Sequence, residues 1–332
     1  MIAAQTAGEA ASGVPNEGWD TDLQSLGGHV LQSRAWARCQ QRLGVTTFHQ
    51  RGDGWLWLGV VRKVGPFASL YLPYGPMLAG AGLDHAVRAA ALCARQAACS
   101  FVQIEPVGPA PLHPERLGAR RAPMRNPTYT WVLRLDVDES TLRSGLTKGH
   151  RGSINAAPRR GIVVSQRTDD AAVEDFLRLL RLTQQRTSMS LLPDSYYRAI
   201  LDELMPTNDA VLYVATAQER AVAAAVGLDF GSTRYYVYAG TDPAARGLSP
   251  SAPLVWQMIL DARASGKRWF DFWGVSPPGA TDHWSGFSQF KRSFGGELAE
   301  HGGTWDLPVR PLAYSAWRVA RTLRPLASRA RA

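Results

Sequence analysis

Lys291 is the residue whose sequence neighbours best suit it to chemistry. It lies between Phe290 and Phe294, so its ammonium group is expected to emerge from an aromatic patch that partly excludes water. A cation in such a place can stabilise negative charge that develops on an oxygen in a transition state. Only four of the 37 basic side chains are lysines, which sets Lys291 apart. The competing interpretation is an ordinary lysine on an exposed helix face.

Two carboxylates adjoin apolar segments and are further candidates. Glu105 follows the strand-like run 101–104, where burial could raise its pKa and make it a proton acceptor. A structural carboxylate paired with a neighbour is an equal alternative. Asp271 lies between Phe270 and Phe272, where a hydrogen bond to a loop is favoured over a direct role.

The sequence does not indicate nucleophilic or metal-dependent catalysis. The sequence has no readable Ser-His-Asp or Cys-His arrangement, and its seven histidines lack metal-ligand spacing. The three cysteines form no CxxC motif, so they indicate small buried side chains rather than a disulfide framework or zinc site. We therefore predict neither a metal nor another cofactor.

The charge pattern predicts a polyanionic partner. The formal net charge is +9, and no acidic residue follows position 307. Phosphate on nucleic acid or on anionic lipid would suit such basic segments, although an arginine-favouring codon bias is an alternative explanation. One basic segment lies in mid-chain: Lys148, His150, Arg151, Arg159, Arg160 and Arg167. The other is the tail: Arg310, Arg318, Arg321, Arg324, Arg329 and Arg331.

Length and composition indicate a globular protein of one large or two medium domains. The chain has 332 residues, of which 45% are hydrophobic and 20% charged. No apolar run approaches the roughly 18 residues of a spanning helix, and the first residues do not read as a signal peptide. We expect a cytoplasmic protein, with a mobile leader over residues 1–25.

The periodicity of apolar residues predicts an α/β fold made of two similar mixed units. In the first half we expect helices over 32–43 and 83–98 and strands over 55–61, 69–72 and 101–104. In the second half we expect strands over 129–135, 162–165, 211–217, 221–230, 233–239 and 269–273, and helices around 148 and over 171–186, 195–204 and 252–265. Tyr236 and Tyr238 alternate with Tyr235 and Val237, which predicts that they share one face of their strand.

The segment 211–273 has the element order of the acyltransferase fold that handles acyl-coenzyme A. There, a glycine-rich loop before the long helix holds the pyrophosphate with backbone N–H groups. Here the loop reads Arg246-Gly247-Leu248-Ser249-Pro250, in which the proline removes a donor and a later glycine is missing. We therefore expect that the fold is kept while the acyl donor has changed.

Motifs spread over residues 30 to 315 resemble the FemAB family of tRNA-dependent aminoacyltransferases, which build the cross-bridge of bacterial peptidoglycan. The motifs that carry the resemblance are Leu31-Gln32-Ser33 with Trp36, Tyr71-Leu72-Pro73-Tyr74-Gly75-Pro76, Phe101-Val102-Gln103-Ile104-Glu105-Pro106, Lys148-x-x-Arg151-x-x-Ile154, Tyr236-x-Tyr238-Ala239, Phe270-Asp271-Phe272, Phe287-x-x-Phe290-Lys291-x-x-Phe294-Gly295-Gly296-Glu297 and Trp305-Asp306-Leu307-Pro308.

The resemblance implies two tandem acetyltransferase-like (GNAT-like) domains without the coiled-coil arm of longer members, over residues 26–139 with 304–332 and over 140–303. It implies transfer of an amino acid from aminoacyl-tRNA to the side-chain amine of the third residue of a lipid- or nucleotide-linked peptidoglycan precursor. Alternatives are a tRNA-dependent ligase of peptide natural products and an acyl-CoA-dependent N-acetyltransferase. A non-catalytic RNA- or membrane-surface-binding protein is a further alternative.

The resemblance also implies roles for particular residues. Lys291 is implied to stabilise the oxyanion, with Phe290 beside it. Most members carry a lysine where this chain has Gln40, so the resemblance does not define the contact with the precursor phosphates at this position. Residues expected to line the precursor site are Trp36, Gln40, Tyr74, Arg186, Tyr196, Tyr236, Tyr238 and Asp271. Residues expected to meet tRNA phosphate are Lys148, Arg151, Arg159, Arg318, Arg321 and Arg324, although the tail could also lie on an anionic membrane or be solvated.

Overall fold

The computed structural model describes residues 9–108, 112–187, 191–280 and 284–329, the last range with side chains as far as Thr322. The strands in chain order are β1 (Ala11–Ser12), β2 (Thr47–Gly52), β3 (Trp55–Val64), β4 (Phe67–Leu72), β5 (Met77–Leu78), β6 (Phe101–Ile104), β7 (Arg120–Arg121), β8 (Tyr129–Arg134), β9 (Ile162–Arg167), β10 (Ala210–Ala217), β11 (Arg220–Phe230), β12 (Thr233–Thr241), β13 (Trp269–Gly274), β14 (Glu297–Glu300) and β15 (Trp305–Pro308). The α-helices are α1 (Trp19–Ser25), α2 (Arg34–Arg42), α3 (Leu83–Gln96), α4 (Glu139–Gly145), α5 (Lys148–Ala156), α6 (Asp170–Thr187), α7 (Asp194–Leu204), α8 (Ser251–Ala264), α9 (Ser285–Arg292) and α10 (Pro311–Arg329).

The chain divides into two compact units. Unit 1 comprises Met1–Thr128 and His301–Ala332, and unit 2 comprises Tyr129–Glu300. The boundaries predicted at 139/140 and 303/304 lie later in the chain than the observed ones. The reason is that β8 pairs with β13 and β14, both strands of unit 2, and therefore belongs to that unit.

Each unit contains one mixed sheet. The strand order is β1-β2-β3-β4-β6-β15-β7 in unit 1, with β5 beside β3, and β14-β8-β13-β12-β11-β10-β9 in unit 2. One ladder in each sheet is parallel, β4 with β6 and β12 with β13, and the other ladders are antiparallel. A helix provides each parallel crossover, α3 in unit 1 and α8 in unit 2. The predicted α/β class and the similarity of the two units are confirmed.

The core of each unit lies between its sheet and its crossover helix. In unit 1, Leu70, Leu72 and Val102 of the sheet pack against Val87 and Ala90 of α3. These side chains are fully buried because strand residues alternate faces, so that every second apolar residue meets the helix.

In unit 2, α8 packs Leu254, Val255 and Ile259 against Phe270 and Phe272 of β13. Helix α8 is apolar nearly all round, since β10 and α5 also lie against it. Phe270 and Phe272, two residues apart, therefore fix the face of β13 that belongs to the core.

Residues 9–25 are part of unit 1, so the predicted mobile leader over 1–25 is wrong for this stretch. Strand β1 pairs with β2, and α1 buries Trp19 and Leu23. The Trp19 indole donates a hydrogen bond to the carbonyl of Gln32 at 2.7 Å. Trp19 and Leu23, four positions apart, therefore lie on the face of α1 that packs on unit 1. Residues 1–8 lie outside the described part of the chain.

Candidate active site

Strands β12 and β13 of unit 2 pair over their first residues and then separate. Their parallel pairing covers Thr233–Tyr235 and Trp269–Asp271, whereas β12 continues to Thr241 and β13 to Gly274. Both strands are irregular just past this point. The register of β12 with β11 shifts between Val226 and Gly227, and that of β13 with β8 shifts between Asp271 and Gly274. Such bulges bend a strand and re-aim its side chains, so the separation is built into both strands.

The bulge in β12 places Tyr236 and Tyr238 on opposite faces. Tyr236 pairs with Gly227 and Tyr238 with Val226, so Val237 is the extra residue. The Tyr236 ring lies 6.4 Å from those of Phe270 and Phe272, and burial raises its pKa. The predicted common face is therefore wrong, because the alternation of side chains is interrupted between the two tyrosines.

Tyr238 faces α7 on the other side of the sheet. Its hydroxyl lies 3.3 Å from that of Tyr196, and its ring lies 5.1 Å from that of Tyr197. The structure thus brings Tyr196 and Tyr238, both predicted to bind the precursor, into contact. Arg186 is exposed near the end of α6, just before residues 188–190, which are outside the described ranges.

Lys291 lies on α9 and reaches the end of β13. Its Nζ donates a hydrogen bond of 2.6 Å to the carbonyl of Gly274. Burial lowers the pKa of Lys291 to about 8, against the opposing attraction of Asp271. Gly274 follows Trp273, whose φ of 64° turns the backbone within the bulge. The ammonium group is thus anchored at the part of β13 that has left β12.

Asp271 stabilises the bulge from its buried position. Its carboxylate accepts a hydrogen bond of 2.6 Å from the backbone N–H of Trp273. Burial raises its pKa to about 6, although that N–H, the charge of Lys291 and the hydroxyl of Thr130 each act to lower it. The sequence favoured a structural hydrogen bond for Asp271, and the contact with Trp273 is of that kind. Its predicted role in substrate binding stays a prediction.

His150 belongs to the packing around Lys291 rather than to an exposed basic surface. Its ring lies 5.0 Å from Phe290 and 4.6 Å from Phe294, and it hydrogen-bonds the backbone of Phe290. Burial lowers its pKa, which favours the neutral ring. The histidine was grouped with the phosphate-binding residues because it stands beside Lys148 and Arg151 in the sequence. Nothing in the sequence signals its contact with residues about 140 positions later.

The other members of the mid-chain basic segment are exposed. Thr147 caps α5 by accepting a hydrogen bond from the N–H of His150, and Lys148 and Arg151 project from the helix into solvent. Arg159 is also exposed, on the short 3₁₀ helix Pro158–Arg160. Their contact with tRNA phosphate remains a prediction, and their exposure is compatible with it.

Glu105 is a structural centre of unit 1. Its buried carboxylate accepts hydrogen bonds from the Tyr71 hydroxyl, the Tyr74 N–H, both nitrogens of Asn126 and the Thr304 hydroxyl, at 2.8 to 3.1 Å. Five donors occupy its lone pairs, so this geometry favours the structural alternative over a proton acceptor.

The remaining residues predicted in unit 1 are largely buried. Trp36 and Gln40 lie one turn apart on α2, each 7% exposed, and the Gln40 Nε2 is buried without a hydrogen-bond partner among the described residues. Tyr74 is 1% exposed; its hydroxyl donates to the carbonyl of Pro127, and its ring lies 4.2 Å from that of His29. Their contacts with substrate remain predictions.

The basic tail is helical from Pro311 to Arg329, and Arg331 lies outside the described residues. Arg318 is exposed on α10, Arg321 is half-buried, and the side chain of Arg324 lies outside the described residues. None of the helices in the described part of the chain combines the length and apolar composition needed to cross a bilayer. Across the same ranges, no three His, Cys, Asp or Glu side chains gather as a metal-ligand set.

The loop before α8 offers few backbone donors. Pro250 is the N-cap of α8 and Pro253 lies in its first turn, so both positions lack an N–H group. The Ser251 hydroxyl lies 3.0 Å from that of Thr241. The expectation that the acyl donor has changed stays a prediction, which the two prolines support.

Comparison with known proteins places this geometry in a known fold. A family model described as an acetyltransferase (GNAT) domain matches residues 145–292. No curated protein matches the chain. Among solved structures, FemX has a TM-score of 0.77 and 17% identity, and the alignment covers 93% of this chain and 99% of FemX.

Two further structures are similar over most of the chain. The C-terminal domain of a protein described as a lysylphosphatidylglycerol synthetase, from Agrobacterium fabrum, has a TM-score of 0.61 and 14% identity over 92% of this chain and 95% of that one. A tandem GNAT protein from the clavulanic acid biosynthesis pathway has a TM-score of 0.56 and 14% identity over 91% and 99%. The chain therefore has a FemX-like fold, in which two GNAT-like units are combined, as the sequence resemblance implied.

Proposed function

We propose that the protein transfers an amino acid from aminoacyl-tRNA to the side-chain amine of the third residue of a peptidoglycan precursor. The observation that carries the proposal is Lys291, a partly buried ammonium group held at Gly274 where β13 has separated from β12. The similarity of the whole chain to FemX supports the same interpretation. The lysylphosphatidylglycerol synthetase resemblance is consistent with an aminoacyl donor.

The reaction needs no covalent enzyme intermediate, because the ester of the charged tRNA is already activated. The precursor amine attacks the ester carbonyl, a C–N bond forms, and the ribose oxygen of the tRNA leaves with the proton that the amine gives up. Lys291 would stabilise the negative oxygen of the tetrahedral intermediate. Partly buried surroundings strengthen this interaction, since water screens it less there.

The binding surfaces follow from the same proposal. The exposed Lys148, Arg151 and Arg159 would meet phosphates of the tRNA, and Arg318 and Arg321 of α10 would contact tRNA or an anionic membrane surface. Tyr196 and Tyr238 would line the precursor site. Arg186, exposed in the last turn of α6, would line it as well. A cytoplasmic location, close to lipid-linked precursor, fits these partners.

The test is a transfer assay with charged tRNAs and a panel of lipid- and nucleotide-linked precursors, read by mass. We expect a new amide with the wild-type protein and a loss of about 10²- to 10³-fold in kcat for Lys291→Met, the usual effect of removing one oxyanion donor. Lys63→Met is the matched control, because Lys63 is an exposed lysine of unit 1. Equal activity of Lys291→Met and Lys63→Met would contradict the role of Lys291.

An acyl-CoA-dependent N-acetyltransferase is a second candidate, favoured by the GNAT family match and by the similarity to the tandem GNAT protein. The prolines at the start of α8 speak against it, because they remove pyrophosphate donors. Calorimetry with coenzyme A separates the two: saturable binding at micromolar concentration favours the second candidate.

A transfer to small peptides instead of precursors would indicate a tRNA-dependent ligase of natural products.

A further inference from the structure

Unit 1 contains a cavity of about 270 Å³ between one face of its sheet and α10. Strands β3, β4 and β6 supply Arg62, Ser69 and Phe101, and α10 supplies Trp317 and Arg321. The loop between β7 and β8 adds Arg125, and β6 adds Gln103. This volume is just below the usual range of small-molecule pockets, which indicates a small ligand.

Guanidinium groups dominate the polar lining. Arg62 and Arg125 both lie over the ring of Tyr71, at 5.6 and 5.9 Å from its centre, and Arg321 reaches the cavity from α10. Among the described residues that line the cavity, none is acidic. The cavity therefore presents strong hydrogen-bond donors and positive charge, which match an oxyanion such as phosphate.

A chain of hydrogen bonds behind the wall holds Arg125. Its Nε donates to Gln103 Oε1 at 3.0 Å, and Gln103 Nε2 donates to the buried Asp306 at 2.8 Å. Tyr314 also donates to Asp306, at 3.2 Å. Because Arg125 uses its Nε in this chain, the guanidinium is oriented before a ligand arrives, which reduces the entropy lost on binding.

The apolar wall suits a flat ring. Phe101 and Trp317 are stacked with 6.0 Å between ring centres and 21° between planes, and Phe67 lies 5.8 Å from Trp317. A planar ring in the cavity would therefore contact aromatic carbon on this wall.

We propose that this cavity binds a small ligand in which a phosphate monoester is attached to a flat ring, as in an aryl phosphate or a nucleoside monophosphate. The guanidinium groups bind the phosphate, and the Phe101 and Trp317 wall holds the ring. The site lies within unit 1 and does not depend on the reaction assigned to Lys291 in unit 2.

The test is isothermal calorimetry on the full-length protein with four probes: phenyl phosphate, inorganic phosphate, phenol and adenosine 5′-monophosphate. We expect one site per chain that binds phenyl phosphate at least tenfold more tightly than either inorganic phosphate or phenol. If adenosine monophosphate binds as tightly as phenyl phosphate, the natural ligand is a nucleotide. If adenosine monophosphate does not bind, the natural ligand is a smaller aryl phosphate. Phenyl phosphate binding no better than inorganic phosphate would overturn the proposal.

Three variants locate the site. Arg321→Met should weaken phenyl phosphate binding about tenfold or more, the usual effect of losing a hydrogen bond to a charged group. Trp317→Ala removes the ring that stacks on Phe101, so a several-fold loss is expected. Arg88→Met is the control, since Arg88 is an exposed arginine on α3 that does not line the cavity. An equal loss in Arg88→Met and Arg321→Met would overturn the site, because it would show attraction to net charge alone; unchanged melting temperatures would confirm that the variants fold.

Discussion

Lys291 carries its charge where water reaches it only in part. With a pKa of about 8, roughly a tenth of the molecules would hold a neutral amine at pH 7. Two roles are therefore chemically available to it, a cation that stabilises an oxyanion and a base that accepts the proton of the attacking amine. They differ in the protonation state that is active, so the dependence of rate on pH distinguishes them.

We expect the wild-type rate constant of transfer, relative to that of Lys291→Arg, to fall as pH rises through about 8. The ammonium form exists below its pKa and is lost above it, whereas arginine stays protonated throughout. The attacking amine titrates equally in both proteins, so the ratio removes its contribution. Single-turnover rates between pH 6 and pH 10 provide the measurement. A ratio that rises through about 8 would show that Lys291 acts as a base.

The surroundings of Lys291 show what residue types alone could and could not reveal. Scarcity of lysine and flanking phenylalanines indicated Lys291 itself. His150, Trp273 and Gly274 were missed as parts of the site, because their contacts depend on a bulge and on packing between distant segments. The one local signal was Gly274 directly after an aromatic strand, a usual place for irregular backbone.

At the scale of elements, α6 and β12 approach each other at Gly240. A Cβ on this residue would lie 2.4 Å from the carbonyl carbon of Leu179 and 2.5 Å from the backbone nitrogen of Leu180. Both are backbone atoms of α6, which cannot turn aside as a side chain can. Since β12 carries Tyr236 and Tyr238, this close packing also fixes the strand that borders the site.

We expect Gly240→Ala to lower the free energy of unfolding by at least 1–3 kcal/mol, the usual range for overpacking. Chemical denaturation followed by circular dichroism measures the change. Gly247→Ala is the matched control, because a Cβ at Gly247 meets no atom within 4 Å. A loss in the control as large as that in Gly240→Ala would contradict the role of the close approach of α6, because a Cβ at Gly247 meets no atom within 4 Å.

Long elements were predictable from the sequence and short ones were not. Helices α3, α6 and α8 and strands β10–β12 carry enough apolar repeats to be recognised alone. Strands β14 and β15 have four residues each and lie beside glycine pairs, so their pairing partners and not their composition define them. The bulge at Val237 was likewise invisible, since the aromatic alternation around it looks regular.

At the scale of the whole molecule, unit 1 is made from two separate stretches of chain and unit 2 from one. Strand β15 returns after unit 2 and lies between β6 and β7, inside the sheet of unit 1. It also brings Thr304 to Glu105 and Asp306 to Gln103. Unit 1 therefore depends on residues that follow unit 2, whereas no strand of unit 1 pairs into the sheet of unit 2 among the described residues.

We expect residues 129–300 alone to unfold in one cooperative transition. A chain of residues 1–300 should show the same transition, while a protease rapidly cleaves its first 128 residues. Removing β15 exposes the edge of β6 and leaves Gln103 without Asp306, which destabilises the sheet. Limited proteolysis with mass analysis, beside thermal denaturation, provides the readout. Protection of residues 9–128 in the shortened chain would show that β15 is dispensable.

The position of β15 also determines the order in which the units can be completed on the ribosome. Domains usually fold in the order of their synthesis, the N-terminal one first. Here the strand that closes the first sheet is made only after all of unit 2 has been translated. The sheet of unit 1 therefore stays incomplete, with β6 unpaired along one edge, until unit 2 has been synthesised. In a cell, this interval is when the chain would be most exposed to chaperones and to aggregation.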